Sequence, residues 1–225
     1  MKPPPDLLVF DVNETLLDLG GVKAAFAKVF GSADLLGEWF LRLLLGSMVS
    51  NGVGQYRPFL EIGTEAMLVL AEKHDVSITP DQAVEVVSVM RSLPPHPDVI
   101  PALDRLTGAG IRKIALTNGS QQTVEEQLGN AGISHHFEAM LSVDGVRRFK
   151  PSPEVYLMAS AKMDVAIDRM MMVAAHDWDL VGARSVGMQT AYISRPGAVW
   201  SPGYPPPDLI GDTLGDIVDQ LLTSG

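Results

Sequence analysis

Apolar positions along the chain fall into two rhythms. Leu7–Phe10 is an unbroken apolar run closed by Asp11, the pattern of a short strand buried on both faces. From about Gly21 to Leu93 the spacing turns helical. Ala24–Phe30 and Glu38–Leu45 carry closely spaced apolar residues, and Glu61–Lys73 has the composition of a helix. The uncharged stretch Leu43–Tyr56 is interrupted by Gly46, Gly52 and Gly54. Thr79-Pro80-Asp81-Gln82 combines an N-cap, a proline at the first helical position and a capping-box partner, which opens a helix to about Ser92.

Leu93-Pro94-Pro95-His96-Pro97 breaks the helical pattern and marks a domain junction. Beyond it helices and strands alternate. Helices are predicted at Asp98–Gly108, Ser120–Asn130, Pro153–Lys162, Asp179–Gly187 and Asp212–Thr223. Strands are predicted at Lys113–Asn118, Met140–Val143, Met170–Ala175 and Gln189–Ile193. One strand, an all-helical insertion and then βα repeats predict an α/β fold: a doubly wound, parallel, Rossmann-like core of residues 1–18 and 94–225, with an inserted helical cap over 19–93. In such sheets ligands sit beyond the carboxyl ends of the strands. Asp11, Asn118 and the turn His176–Asp179 all fall there, so residues distant in sequence converge on one crevice.

Composition narrows the partners. The chain has 225 residues, of which 46% are hydrophobic and 20% charged, the balance of a globular protein with a core. It has no cysteine, which excludes disulfides, thiolate nucleophiles and cysteine-bound metals. The start, Met1 to Asp6, carries no apolar signal core, and no run of about 20 apolar residues could cross a bilayer. A cytoplasmic location and no membrane partner are expected. With a net charge of −10 and no basic cluster beyond Arg147-Arg148, nucleic acid is not an expected partner. An anionic substrate would have to be received by a few local positive groups, against the global field. His74, His96, His135 and His136 show no metal-ligand spacing, and no cofactor is expected.

Four segments carry candidate chemistry. Asp11 at a strand end either caps the next turn or presents a carboxylate on a rigid floor. Thr117-Asn118-Gly119-Ser120 offers hydroxyl, amide and backbone N–H groups to an anion, or is an ordinary helix start. Lys150, stiffened by Pro151, is either a solvated surface residue or the cation that keeps Asp11 ionised. His176-Asp177-Trp178-Asp179 places a histidine and two carboxylates at a strand end, suited to general-base work, although Asp179 could simply cap its helix.

Asp11-Val12-Asn13-Glu14-Thr15-Leu16, Leu116–Ser120, Phe149-Lys150-Pro151 and His176–Asp179 resemble, in order and spacing, the four motifs of the haloacid dehalogenase superfamily. Leu141–Asp144, Val155-Tyr156 and Trp178-Asp179 with Gly182-Ala183-Arg184 resemble its type II 2-haloacid dehalogenases. The resemblance implies that Asp11 attacks C2 of a small 2-halocarboxylate, that water then opens the aspartyl ester, and that no metal takes part. It makes Lys150 the group that ionises Asp11, and Asp179, or His176 with it, the activator of water. Asn13, Thr15, Thr117, Asn118, Ser120, Tyr156 and Trp178 become substrate contacts, with Trp39, Phe40 and Arg42 in the lid.

The departures are informative. Superfamily phosphatases carry a second Asp where this chain has Asn13, and an acidic metal ligand where it has Ala175. Type II enzymes usually have Tyr at position 13, Gly at 14 and Asn at 176, where this chain has Asn13, Glu14 and His176. Their cap Arg directly follows a Trp. Here Phe40 follows Trp39, and Arg42 lies about 200° around the helix from it. A phosphatase acting on a small phosphate ester stays open as an alternative, as does a non-catalytic binding or dimerisation relative. A homodimer is open as well, because the apolar cap helices could serve a pocket or a partner.

Overall fold

The computed structural model describes residues 3–223; Met1 and Lys2, with which the expected core begins, and Ser224 and Gly225, with which it ends, lie outside that range. The first strand, β1 (Leu7–Phe10), is wholly buried, as its apolar run predicts. The helical insertion follows: α1 (Lys23–Phe30), α2 (Leu36–Val53), α3 (Phe59–Lys73) and α4 (Pro80–Ser88). The remainder runs α5 (Val99–Gly108), β2 (Arg112–Thr117), α6 (Gln121–Asn130), β3 (Ala139–Ser142), α7 (Pro153–Met163), β4 (Met170–Ala174), α8 (Asp177–Ser185), β5 (Gln189–Ile193), β6 (Leu209–Gly211) and α9 (Leu214–Thr223).

The strands form a parallel sheet in the order β3-β2-β1-β4-β5-β6. The winding reverses at β1, which pairs with β2 on one side and β4 on the other. Asp11 leaves the sheet at that reversal, and its backbone N–H still bonds Val173 O at 3.0 Å. The parallel order is the reason a strand-end residue at position 11 meets strand-end residues from distant parts of the chain.

Thr79 and Gln82 form the capping box in full, with Thr79 N to Gln82 Oε1 at 2.8 Å and Gln82 N to Thr79 Oγ1 at 3.2 Å. Three features differ from the sequence expectations. Helix α2 is much longer than Glu38–Leu45 and runs through Gly46 and Gly52 to end at a left-handed Gly54. Gly46 is there for contact with α3: a Cβ on it would lie 2.5 Å from Ile62 Cγ2. Close packing of two helices outweighs the small helix penalty of glycine. Strand β6 was not foreseen, because three residues at a sheet edge are too few to show a period. Helix α8 begins two residues earlier than expected, which places Asp179 inside its first turn rather than at its cap.

The insertion packs on itself, α2 against α3 and α3 against α4. Its centre is Trp39, fully buried, which packs on Phe26 and donates Nε1–H to Gly63 O at 2.9 Å. Contacts back to the sheet domain lie at two places: residues 89–92 pack on α6, where Gln127 Nε2–H bonds Met90 O at 2.8 Å, and a second set surrounds Phe149. Tyr56 and Phe59 lie against its ring, at centroid distances of 5.0 and 5.9 Å. Asn51 grips its backbone, donating Nδ2–H to Phe149 O at 2.8 Å and accepting Phe149 N–H at 2.9 Å. The residue gripped so firmly is the one that precedes Lys150.

Candidate active site

Asp11, Lys150 and Asp179 meet at the carboxyl end of the sheet, with Lys150 in contact with both carboxylates. Lys150 Nζ stands 2.9 Å from Asp11 Oδ1 and 2.8 Å from Asp179 Oδ2. The three residues are only 6%, 1% and 0% exposed. One cation between two carboxylates compensates the desolvation that each would otherwise suffer. Burial works against charge on Lys150, but the two adjacent carboxylates outweigh it and hold its pKa above the ordinary lysine value. Burial likewise opposes ionisation of Asp11, and Lys150, His176 and Thr15 together outweigh it, so that carboxyl is held well below the usual range. Asp179 goes the other way. Its complete burial and the nearby charge of Asp11 raise it, against the pull of Lys150 and Tyr156.

The other oxygen of Asp11, Oδ2, has two partners. Thr15 Oγ1 donates to it at 2.7 Å and itself accepts the Ala175 N–H at 2.9 Å. His176 Nδ1 lies 3.1 Å away, and the opposite ring nitrogen, Nε2, is 2.8 Å from Glu14 Oε2. With a carboxylate oxygen at each nitrogen, both must donate, and the ring is an imidazolium. Burial disfavours that charge, but the bonds to Asp11 and Glu14 outweigh it and push the pKa up to about 10. This corrects one expectation: a ring with no free lone pair cannot take a proton from water. The ring is also clamped between Phe40 and Trp178, at 5.9 and 5.1 Å and within 30° of parallel to both.

Several expected substrate contacts turn out to be supports. Thr15 is fully buried behind Asp11, so its hydroxyl positions the carboxylate and cannot reach a ligand. Tyr156, also fully buried, donates to Asp179 Oδ1 at 2.7 Å. Thr117 Oγ1 accepts the Gly119 N–H at 3.1 Å, and Ser120 Oγ caps α6 through Thr123 N at 3.1 Å. Asp144 Oδ2 takes the Gln121 N–H at 3.1 Å. The start of α6 is therefore partly satisfied from within, and less open to an anion than the sequence suggests. Trp39 belongs to the interior of the cap. Arg42 is half-buried and makes no ion pair with the described residues.

What remains available are Asn118, Asn13 and Phe40. Asn118 accepts the Lys150 N–H at 2.9 Å through Oδ1, and its Nδ2 has no acceptor among the described residues. Asn13 accepts Gln127 Nε2–H at 2.9 Å and lines a cavity with Gly119, Ser120, Leu43, Phe59 and Met90, apolar on the cap side and polar on the core side. On the far side of Asp11 a second cleft is bounded by Glu14, Phe40, His176, Trp178 and Arg195. Glu14 was noted in the sequence only as a departure from glycine. It holds a left-handed backbone (φ 60°), which for a residue with a side chain costs about 1–2 kcal/mol. That departure was the one available sign of its contact with His176.

The donor set suits a divalent cation poorly. Both Asp179 oxygens already accept from Lys150 and Tyr156, the Asn13 oxygen faces Gln127, and Ala175 offers only its backbone. Among the described residues no group of three His, Asp or Glu is arranged as a metal cage.

Comparison with known proteins gives a consistent pattern. A family model for haloacid dehalogenase-like hydrolases matches residues 5–187. The chain is 31% identical to (S)-2-haloacid dehalogenase H-109 of Pseudomonas putida, over 97% of this chain and 99% of that one. Its structure superposes on the L-2-haloacid dehalogenase RSc1362 with a TM-score of 0.92 at 25% identity, covering 98% and 100% of the two chains. It shares its fold with L-2-haloacid dehalogenase of Xanthobacter autotrophicus, solved with chloropropionic acid covalently bound, at a TM-score of 0.92, 22% identity and the same coverage.

Proposed function

The chain belongs to the haloacid dehalogenase-like hydrolases, and from that membership we propose that it hydrolyses the carbon–halogen bond of small 2-haloalkanoic acids through an ester on Asp11, without a metal. The observation that carries this reading is Asp11 itself, an ionised carboxylate on a rigid strand end, braced by Lys150 and facing no metal-binding partner. A fixed nucleophile beside a bound electrophile can lower a barrier by ~7–11 kcal/mol relative to free reactants.

Oδ1 is the attacking oxygen in this reading. It has one donor, Lys150, and keeps a lone pair for C2, whereas Oδ2 is engaged twice. The substrate carboxylate or departing halide is received by Asn118 Nδ2 and the free N–H groups near Ser120. Its alkyl group faces the apolar side of the cavity at Leu43, Phe59 and Met90. Asp179 takes the proton of the hydrolytic water. Each of its oxygens keeps a second lone pair, and burial raises its basicity. Residues 19–93 act as a cap on the core of 1–18 and 94–225. Asp11 is nearly closed to solvent, so the cap opens around the Asn51–Phe149 clasp to admit substrate.

Leu41, Leu45, Val49 and Val53 form an exposed apolar stripe along α2, which we assign to a homodimer contact. Sedimentation of Leu45→Glu and the wild type tests that assignment. No described helix is long and apolar enough to cross a membrane.

The test of the activity is halide release from haloacetates and both enantiomers of 2-chloropropionate, with and without EDTA, followed by a single turnover in ¹⁸O-water. Label in Asp11 and indifference to EDTA are expected. Label passing directly to product, or strict dependence on Mg²⁺, removes the reading.

A further inference from the structure

The pair Glu14–His176 touches the nucleophile and has no step in the reaction above. We propose that His176 is a catalytic residue whose imidazolium, kept charged and aimed by Glu14, takes up the negative charge that forms on Asp11 Oδ2 when water opens the ester. This rests on the dehalogenase reading and deepens it.

Three observations carry it. The first is direction: Thr15 Oγ1 and His176 Nδ1 converge on the one oxygen, Oδ2, at 2.7 and 3.1 Å. Two donors on the oxygen that stays a carbonyl make an oxyanion cradle. The second is confinement: Phe40 and Trp178 lie nearly parallel to the imidazole on either side, which fixes its plane and favours a cation. The third is Glu14. Its left-handed backbone would suit glycine, yet the chain carries a side chain there whose carboxylate bonds His176. Its purpose is clear once the reaction is followed. Esterification removes the charge of Asp11, and Glu14 is then the carboxylate that keeps the ring protonated. The other charged groups around the ring are Asp177, next in the chain, and Arg195, which lines the same cleft.

The atoms balance as follows. Oδ1 bonds to C2, and the halide leaves with the electron pair of its bond. Water then bonds to Cγ of Asp11, giving a proton to Asp179 while the carbonyl pair moves onto Oδ2 beneath Thr15 and His176. The pair returns, the Cγ–Oδ1 bond breaks, and Oδ1 departs on C2 with the proton from Asp179 as the product hydroxyl. The last proton on the restored Asp11 carboxyl passes to solvent.

The experiment is rapid quench of wild type, Glu14→Gly, Glu14→Gln and His176→Gln with (S)-2-chloropropionate, reading released chloride and the mass of the Asp11 peptide, with ¹⁵N resonances of His176 followed against pH. Ester hydrolysis should slow about 10²–10³-fold in His176→Gln, as for loss of one oxyanion donor. In both Glu14 variants it should slow about tenfold, more than chloride release slows, so that ester accumulates. The His176 pKa should fall in Glu14→Gln. Hydrolysis at the wild-type rate in the variants, equal slowing of both steps, or an unmoved His176 titration overturns the proposal. A wild type that releases no halide overturns the dehalogenase reading instead, which is a different result.

Discussion

The two sides of Asp11 are built on opposite plans. On the Lys150 side everything comes from the sheet domain: Lys150, Asp179 and Tyr156 are buried, and each polar atom has a partner of fixed geometry. On the His176 side a core histidine is shared between Asp11 and a half-exposed Glu14, and one wall of its slot is Phe40, a residue of the cap. The first side is a buried brace, expensive to disturb. The second is open to adjustment, because its charge depends on a surface carboxylate and its shape on the cap. A shared carboxylate can therefore keep its brace while the opposite face varies.

The largest effect should come from the residue common to both sides. Asp11→Asn should lower halide release by at least about 10⁴-fold while leaving the circular dichroism spectrum unchanged, as for loss of a covalent nucleophile. Residual turnover near the wild-type rate would remove Asp11 from the chemistry. Next is Lys150→Met, which strands two buried carboxylates. A loss of about 3–5 kcal/mol in urea denaturation is expected, together with activity, and a small loss would mean the buried side is less dry than its geometry indicates.

Tyr156→Phe removes one donor from Asp179 and should cost about 1–3 kcal/mol, with a smaller effect on turnover than on stability. A fourth measurement isolates the other side. His176 has a folded pKa of about 10 against 6.5 unfolded, so its contribution to stability is complete below pH 6.5 and declines as pH rises toward 10. Asp11, held low, contributes above the ordinary carboxylate range and loses that only in acid. The melting temperature of wild type should thus fall between pH 7 and 9, and more steeply than that of His176→Gln. Parallel curves would show that the ring is not held charged. The smallest effect belongs to Arg42→Ala, expected within about 0.5 kcal/mol in stability, since Arg42 makes no ion pair with the described residues. A collapse of kcat/KM in that variant would bring Arg42 into the site and redraw the open side.

Much of this arrangement is written locally. Asp11, Asn118 and His176–Asp179 are legible because each ends an apolar run or opens a helix, and the order of such runs dictates a parallel sheet; Lys150 is legible only as a cation fixed before Pro151 in a short basic segment. The capping box at Thr79–Gln82 is legible for the same reason, since its partners are three residues apart. Roles were harder to read. Thr15 and Tyr156 bear hydroxyls at motif positions, and nothing in a run of neighbours says whether a hydroxyl faces a ligand or the back of a carboxylate. The length of α2 was hidden by its glycines, whose use depends on Ile62 in another helix.

Chain chemistry alone therefore settles the fold class and brings Asp11 to the crevice, because strand runs, caps and breakers act over a few residues. Folding decides which oxygen of Asp11 meets which partner. Lys150 and His176 lie 139 and 165 residues from it, and only the order of strands in the sheet, together with the seating of the cap on Phe149, brings them within 3.1 Å. The charge state of His176 belongs to that second category, since it depends on two carboxylates and two rings drawn from separate parts of the chain.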